Sequence, residues 1–286
     1  MVHIHWYPGH IAKAEKKLKE QLSLVDVVVE VLDSRIPFSS KYTDIARLLR
    51  DKPRVLVFNK TDLADAPKTQ FWVDFWQKED NCKATLISAK EAKDLNNLVK
   101  IIESLGKPKI DKLVEKGLLP RPVRAMVVGM PNVGKSSIIN KLIKRTKAKT
   151  GAIAGITRQQ QWVRIHPKIE LLDTPGIIPM KLDNQDAACK LAFVSGVSEN
   201  AYDIEEVAQE LLNVLYKLYP KRVLENYKLE DKNEPPILYD VAKSRQWFVN
   251  KERPDTLRAA TQVLADFRKG RLGKMTLDEP QKEFEN

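Results

Sequence analysis

The sequence predicts an α/β fold: a layered sheet with helices on both faces, followed by a smaller all-α C-terminal domain. Three observations predict it. Short apolar runs alternate with helical patterns as far as Leu172, the signature of strands and helices in separate layers. No strand-like run follows Pro179. The chain has 286 residues, 43% of them hydrophobic, enough for two cores. The division is placed at 1–178 and 179–286.

The elements follow in order. Apolar Ile11, Ala14, Leu18 and Leu22, spaced by three and four, predict a helix from Pro8 to about Leu24. Strand-like runs are Val27–Leu32, Val55–Phe58, Ala84–Ile87, Val123–Val128, Trp162–Ile165 and Ile169–Leu172. The first four are continuous and, taken together, Val-rich, as in strands buried on both faces of a parallel sheet. Helical patterns fall at Tyr42–Arg50, Lys68–Lys78, Glu91–Ser104 and Lys135–Lys144. Beyond Pro179, residues 186–197, 203–218 and 254–269 read as helices, the last with Gly270 as its C-cap. The stretch Pro220 to Pro236 reads as punctuation.

Charge and composition narrow the function classes. The net charge is +11, and residues 1–179 carry +13 of it against −2 for the remainder. Basic clusters at Lys13–Lys19, Lys107–Arg124 and Lys141–Lys149 point to a polyanion partner, nucleic acid first. Cys82 and Cys189 are far apart and have no metal-ligand spacing, which suits two reduced thiols. The start MVHIHWYPGH lacks an apolar signal region, and no apolar run approaches the length of a membrane span. The expectation is a soluble cytoplasmic protein with no membrane partner.

Gly129-Met-Pro-Asn-Val-Gly134-Lys135-Ser136 matches G-x-x-x-x-G-K-[ST] between a strand and a helix, the context that gives the pattern meaning. Backbone N–H groups from Gly129 to Ser137, including those of Asn132 and Val133, would close around phosphates. Lys135 would reach the β and γ phosphates, and Ser136 would ligate Mg²⁺. Asp173-Thr-Pro-Gly176 follows the strand Ile169–Leu172, so Asp173 would hold the same Mg²⁺ and the Gly176 N–H would sense the γ-phosphate. Asn59-Lys60-Thr61-Asp62 follows the strand Val55–Phe58. The Asp62 carboxylate can accept both N1–H and the exocyclic amine of guanine, a donor pair adenine lacks. Asn59 would brace the loops, the Lys60 stem would cover the base, and Ser88-Ala89-Lys90 would supply an N–H for guanine O6. Thr157 is the expected switch threonine for Mg²⁺.

These boxes resemble those of the Ras-like translation-factor GTPases, but in changed order. Asn59–Asp62 and Ser88–Lys90 precede Gly129–Ser136, which is a circular permutation of the P-loop GTPase sheet. The opening Trp6-Tyr-Pro-Gly-His10-Ile-Ala-Lys-Ala14 and the stretch Asp266–Lys274 resemble the YlqF/RbgA family of ribosome-assembly GTPases across nearly the whole chain. The resemblance implies GTP hydrolysis and docking on the large ribosomal subunit or its precursor in the GTP state. Lys144, Arg145 and Lys147 are the expected RNA contacts. Two positions depart from the Ras pattern. Ile177 stands where a water-orienting Gln would follow Asp-x-x-Gly; the resemblance makes His10 the substitute, the alternative being that His10 orients the first helical turn. Asn132 stands where monovalent-activated GTPases hold K⁺, the alternative being a tolerated polar loop residue. The competing readings of the whole chain are a nucleotide-gated RNA- or protein-binding module with negligible catalysis and a GTPase acting on another RNA.

Overall fold

The computed structural model describes residues 2, 4, 11–42, 45–49, 52–80, 82–91, 94–150, 162–172, 176–177, 184–250 and 252–280. Helix α1 (Ile11–Ser23) leads into β1 (Val27–Asp33); then come α2 (Ile45–Leu49), β2 (Arg54–Asn59), α3 (Ala66–Glu79), β3 (Lys83–Leu86), α4 (Leu95–Glu115) and β4 (Val123–Gly129). Helix α5 (Lys135–Thr150), β5 (Trp162–His166), β6 (Ile169–Leu172) and β7 (Gly176–Ile177) complete the sheet. The strands lie in the order β3-β2-β1-β4-β6-β5, with β7 pairing β4. All neighbours are parallel except the β5–β6 pair.

The pleat explains why β1, β2 and β4 are apolar without alternation. In β2, Val55 and Val57 join one core with Leu95, Leu98 and Ile102 of α4. Leu56 and Phe58 face the other way and pack with Leu32 of β1 and with Trp72 and Val73 of α3. A strand covered on both sides is apolar at most positions, and a buried exception in β1, Glu30, is paired with Arg54 at 2.9 Å. The expectation of two-sided burial fails for β3, whose residues are mostly half-buried or exposed. Among the described residues it is an edge strand, with β2 beside it.

Helix α4 overruns its predicted end at Ser104 and continues through Pro108 to Glu115. Proline removes one hydrogen bond, but the inner face of this helix, with Leu95, Leu98, Ile102 and Gly106, is buried against the sheet. Its Gly106 lies against β4, and a Cβ there would sit 2.3 Å from Val123 Cγ1.

After β7 the described structure is helical: α6 (Gln185–Phe193), α7 (Ile204–Leu218), α8 (Pro220–Tyr227), α9 (Leu238–Ser244) and α10 (Thr256–Lys269). Asp203 and Asp255 cap α7 and α10 through their carboxylates, and Gly270 ends α10 in a left-handed conformation, φ 72°. Two of these helices sit in or beside the stretch read as punctuation. Pro220 starts α8, where its fixed φ suits the first turn and its missing N–H loses nothing. Val207, Leu211 and Leu215 of α7 and Val263, Leu264 and Phe267 of α10 are all buried. Among the described residues no helix is long and apolar enough to cross a membrane.

Candidate nucleotide-binding site

Parallel strands deliver their loops to one edge of the sheet, at the carboxyl ends of the strands. Here β4 ends at Gly129 and α5 begins at Lys135. The turn between them needs positive φ at Gly129 (150°), Asn132 (59°) and Gly134 (102°). At Gly134 a Cβ would also fall 2.1 Å from Asn59 Nδ2, so no other residue fits there. The first turn of α5 presents N–H groups that have no partner within the helix, an arrangement suited to an anion. Lys135 folds back over this turn and donates from Nζ to Gly129 O at 2.8 Å and Met130 O at 2.6 Å. Burial pulls its ammonium down to about 8. Ser136 and Ser137 are exposed at the helix start.

The loop after β2 meets the loop after β3 and the P-loop through one side chain. Asn59 donates from Nδ2 to Val133 O at 2.8 Å and accepts from the Ala89 N–H at 3.1 Å. That is the bracing role expected of it. The Ala89 N–H, a candidate donor to guanine O6, is thus engaged by Asn59 in this structure. Asp62 accepts from Ser88 Oγ at 2.9 Å, which places its carboxylate beside the Ser88–Lys90 turn. Lys90 is exposed. Lys60 adopts a left-handed backbone (φ 63°), and its ammonium bonds Asn132 O at 2.7 Å and Asp33 Oδ2 at 2.8 Å. The Lys60 side chain therefore spans from the base-side loop to the P-loop.

Strand β7 brings the third element. Gly176 registers with Val128, and Ile177 with Gly129. The glycine expected to sense a γ-phosphate lies directly beside the start of the P-loop. His10, Thr157 and Asp173 lie outside the described residues. Asn132 donates from Nδ2 to the carbonyl of Ser195, which follows α6. Lys144 is exposed on α5, whose backbone also carries Arg145 and Lys147. Among the described residues no cluster of His, Cys, Asp and Glu could hold a metal ion. Ser136 is thus the described member of the expected Mg²⁺ set. Both thiols are free and pushed up by burial, Cys82 to about 11 and Cys189 to about 12.

The sequence reading passed over Asp33 and Arg35. The Asp33 carboxylate is fully buried; Arg35 grips it from Nε at 2.9 Å and from Nη2 at 2.7 Å, and Lys60 completes the triad. Burial alone would raise the carboxyl, but the two cations hold it well below the usual carboxylate range. A charged residue closing the apolar run of β1, at the carboxyl end of a parallel strand, was the available signal.

The phosphate-type loop, the Asn59 brace and the Asp62–Ser88 turn form one continuous polar edge. A "Ribosome biogenesis GTPase A" of Bacillus cereus is 39% identical over 280 residues, covering 97% of this chain and 94% of that protein. The chain belongs to the ribosome biogenesis GTPase A family. The member from Thermotoga maritima is 31% identical, covering 96% of this chain and 94% of its own. A mouse "Mitochondrial ribosome-associated GTPase 1" is 34% identical, covering 96% and 89%. The family model described as "50S ribosome-binding GTPase" matches residues 124–243, which begin at the P-loop strand and leave out the Asn59 and Ser88 boxes. The solved GNP-bound YlqF of T. maritima superposes with a TM-score of 0.63 at 25% identity, covering 94% of this chain and 99% of that one. A GDP-bound YlqF gives 0.66 at 23% identity, covering 93% and 100%, and supports the fold alone. The sheet order, with boxes from the first half meeting the P-loop of the second, is that of a circularly permuted GTPase.

Proposed function

We propose that this protein binds and hydrolyses GTP and acts as an assembly factor for the large ribosomal subunit. The observation that carries the nucleotide reading is Asn59, which ties the P-loop to the Ser88–Lys90 turn and so joins a phosphate end to a guanine end. Gly129, Asn132, Val133, Gly134, Lys135, Ser136 and Ser137 take the phosphates. Asn59, Lys60, Asp62, Ser88, Ala89 and Lys90 take the base. Thr157 and Gly176 respond to the γ-phosphate. Ser136, Thr157 and Asp173 would hold Mg²⁺, which would supply charge neutralisation for the phosphates. Asn132 is the K⁺ candidate; its Nδ2 faces Ser195, so the ligand role falls to Oδ1 of the same amide. Lys135 stabilises charge developing on the transferred phosphoryl group, and His10 orients the attacking water.

Residues 1–178 act as the GTPase domain and 179–286 as the helical domain that responds to it. The family's shared name supports the ribosomal reading, as does the +13 charge of residues 1–179. Lys144, Arg145 and Lys147 would bring rRNA phosphates close to Thr157, so docking would order the switch. The location is cytoplasmic, with the ribosome precursors. The test is co-sedimentation with purified subunits in a sucrose gradient, with GDP and a non-hydrolysable GTP analogue in parallel. Binding to the large subunit that favours the analogue and falls steeply with salt is expected. Equal binding in both nucleotide states, or none at low salt, overturns the assembly-factor reading.

A further inference from the structure

Beyond α10 the four residues Met275–Asp278 are buried: Met275 and Thr276 fully, Leu277 to 2% exposure and Asp278 fully. Two of these residues are polar. A buried polar side chain is costly unless it is hydrogen-bonded. Theirs find partners on the guanine side of the site. Met275 N–H donates to Leu63 O at 3.0 Å, and the Asp65 N–H donates to Thr276 Oγ1 at 3.2 Å. Thr276 Oγ1 in turn donates to Ser34 O at 3.0 Å, and Leu277 N–H to Arg35 O at 2.7 Å. The Asp278 carboxylate accepts from Phe38 N, Ser39 N and Ser39 Oγ at 2.7 to 2.9 Å and pairs with Lys190 of α6 at 3.1 Å. One short segment thus holds both the loop that follows Asp62 and the turn that carries Asp33 and Arg35.

The helical half fixes the segment from the other side. Tyr219 OH accepts from Thr276 N at 3.1 Å and donates to Thr276 O at 3.0 Å. Helix α10 contributes its end: Gly270 lies so close to the specificity loop that a Cβ would fall 2.6 Å from Leu63 Cδ2. Arg35 reaches the same helix, with its guanidinium 5.3 Å from the Phe267 ring centroid and Nη1 donating to Arg268 O at 3.4 Å. The loop being held contains strain. Lys60 sits at φ 63°, a conformation that a lysine keeps only when its surroundings over-determine it.

We propose that Met275–Asp278 is a positioning element for guanine recognition, through which the helical half of the chain sets guanine-nucleotide affinity from the base end. The proposal rests on the reading of Asn59–Asp62 as the guanine-binding segment. Asp62 itself makes no described contact with the strap; it is placed by the loop on either side, by Asn59 before it and by Leu63 and Asp65 after it. Releasing Asp65 therefore loosens the loop on one side of Asp62, whose carboxylate keeps its bond from Ser88 Oγ, and leaves the phosphate loop untouched. The effect is independent of the γ-phosphate, which separates it from switching at Gly176.

The experiment uses the full chain and a fluorescent GDP analogue in stopped flow. Thr276→Val keeps the shape of the side chain and removes the hydroxyl shared by Asp65 and Ser34; Thr276→Ser keeps the hydroxyl. The valine variant is expected to release GDP and a GTP analogue faster by the same factor, about tenfold, the equivalent of one buried hydrogen bond. Its preference for GDP over IDP, which lacks the amine that Asp62 reads, is expected to shrink. The serine variant should restore both. Should the valine variant fail to fold, Tyr219→Phe removes the hydroxyl that anchors Thr276 and should act in the same direction. A folded valine or phenylalanine variant with wild-type release and wild-type GDP-to-IDP ratio overturns the proposal, even where its melting temperature falls. Absence of GDP binding by the wild type would instead overturn the underlying reading of the site.

Discussion

Asn59→Ala is the substitution that best tests how the site is assembled. The side chain is 1% exposed and joins two loops by two hydrogen bonds, to Val133 O at 2.8 Å and from Ala89 N at 3.1 Å. Alanine leaves a carbonyl and an N–H without partners in a largely buried place. Each such group costs about 1–3 kcal/mol if it stays unsatisfied. Both lie on loops at the open edge of the sheet, so the loops can shift and take water instead. The loss in global stability is then small. The nucleotide must afterwards pull the loops back into register, and about 2–3 kcal/mol disappears from binding, or roughly 30- to 150-fold in Kd. The assay is titration of a fluorescent GDP analogue at constant ionic strength, with guanidinium unfolding run on the same preparation. A Kd within threefold of wild type, with the fold intact, would refute the reasoning. So would a loss that appears wholly in the unfolding midpoint.

Three further outcomes follow from the same geometry. Asp62→Asn should weaken GTP binding by several kcal/mol and improve binding of xanthosine triphosphate, whose added carbonyl can accept from the new amide; competition binding with the two nucleotides reads this out. Burial pulls Lys135 down to about 8 and it must be charged to hold phosphate, so GTP affinity should fall toward tenfold per pH unit above that value, measured by calorimetry from pH 7 to 10. Asp26 is held at about 2: burial raises it, and Arg121, Lys109 and the Arg124 N–H more than offset that. Its folded value lies below the unfolded one, so the stabilisation is present above about pH 4 and lost as the pH falls toward 2. Screening at the partly exposed Arg121 and Lys109 limits it to about 1–2 kcal/mol, and Asp26→Asn should flatten the acid limb of the unfolding curve by that amount.

The sheet was legible because burial on both faces forces apolar runs that need no alternation to be seen, and all six runs are strands. The seventh strand is two residues long and has no pattern to show. Helix α4 was cut short because Gly106 and Pro108 are local stop signals, overridden here by close packing on Val123. In α8 the proline that reads as punctuation is the first helical residue. The motifs Asn59–Asp62, Ser88–Lys90 and Gly129–Ser136 were legible because each lies at a strand end, where a short motif is enough. Asp33 was not, because its partners Arg35 and Lys60 make no recognisable motif together. Nor was the role of Thr276 and Asp278: Thr276 Oγ1 meets Asp65 across 211 residues of chain, and Asp278 meets Ser39 across 239. No local spacing encodes contacts of that separation.

The permutation itself has a structural rationale. Strand β1 pairs β4 from Val27↔Ala125 to Glu30↔Val128, so the sheet is continuous although its first three strands precede the P-loop in sequence. Placing the chain start ahead of β1 therefore removes no ladder bond; helix α4 makes the new connection from β3 to β4. It also brings the two sides of the cut together: the Ile4 N–H donates to Gln185 Oε1 at the start of α6, and α1 packs on β7. The strand that carries Gly176 is thus flanked by the N-terminal helix and followed by the helical half. The strap from Met275 to Asp278 returns to the opposite end of the site, beside the loop that carries Asp62. In an unpermuted chain the segment after Gly176 would continue into the sheet, and only the switch loops would be free to report. Here the helical half touches the P-loop, through Ser195 and Asn132, and the loop after Asp62, through Thr276 and Asp65. On the proposed reading of the site, a partner that shifts α6 or α10 would act on both ends, and docking would be coupled to nucleotide release as well as to hydrolysis.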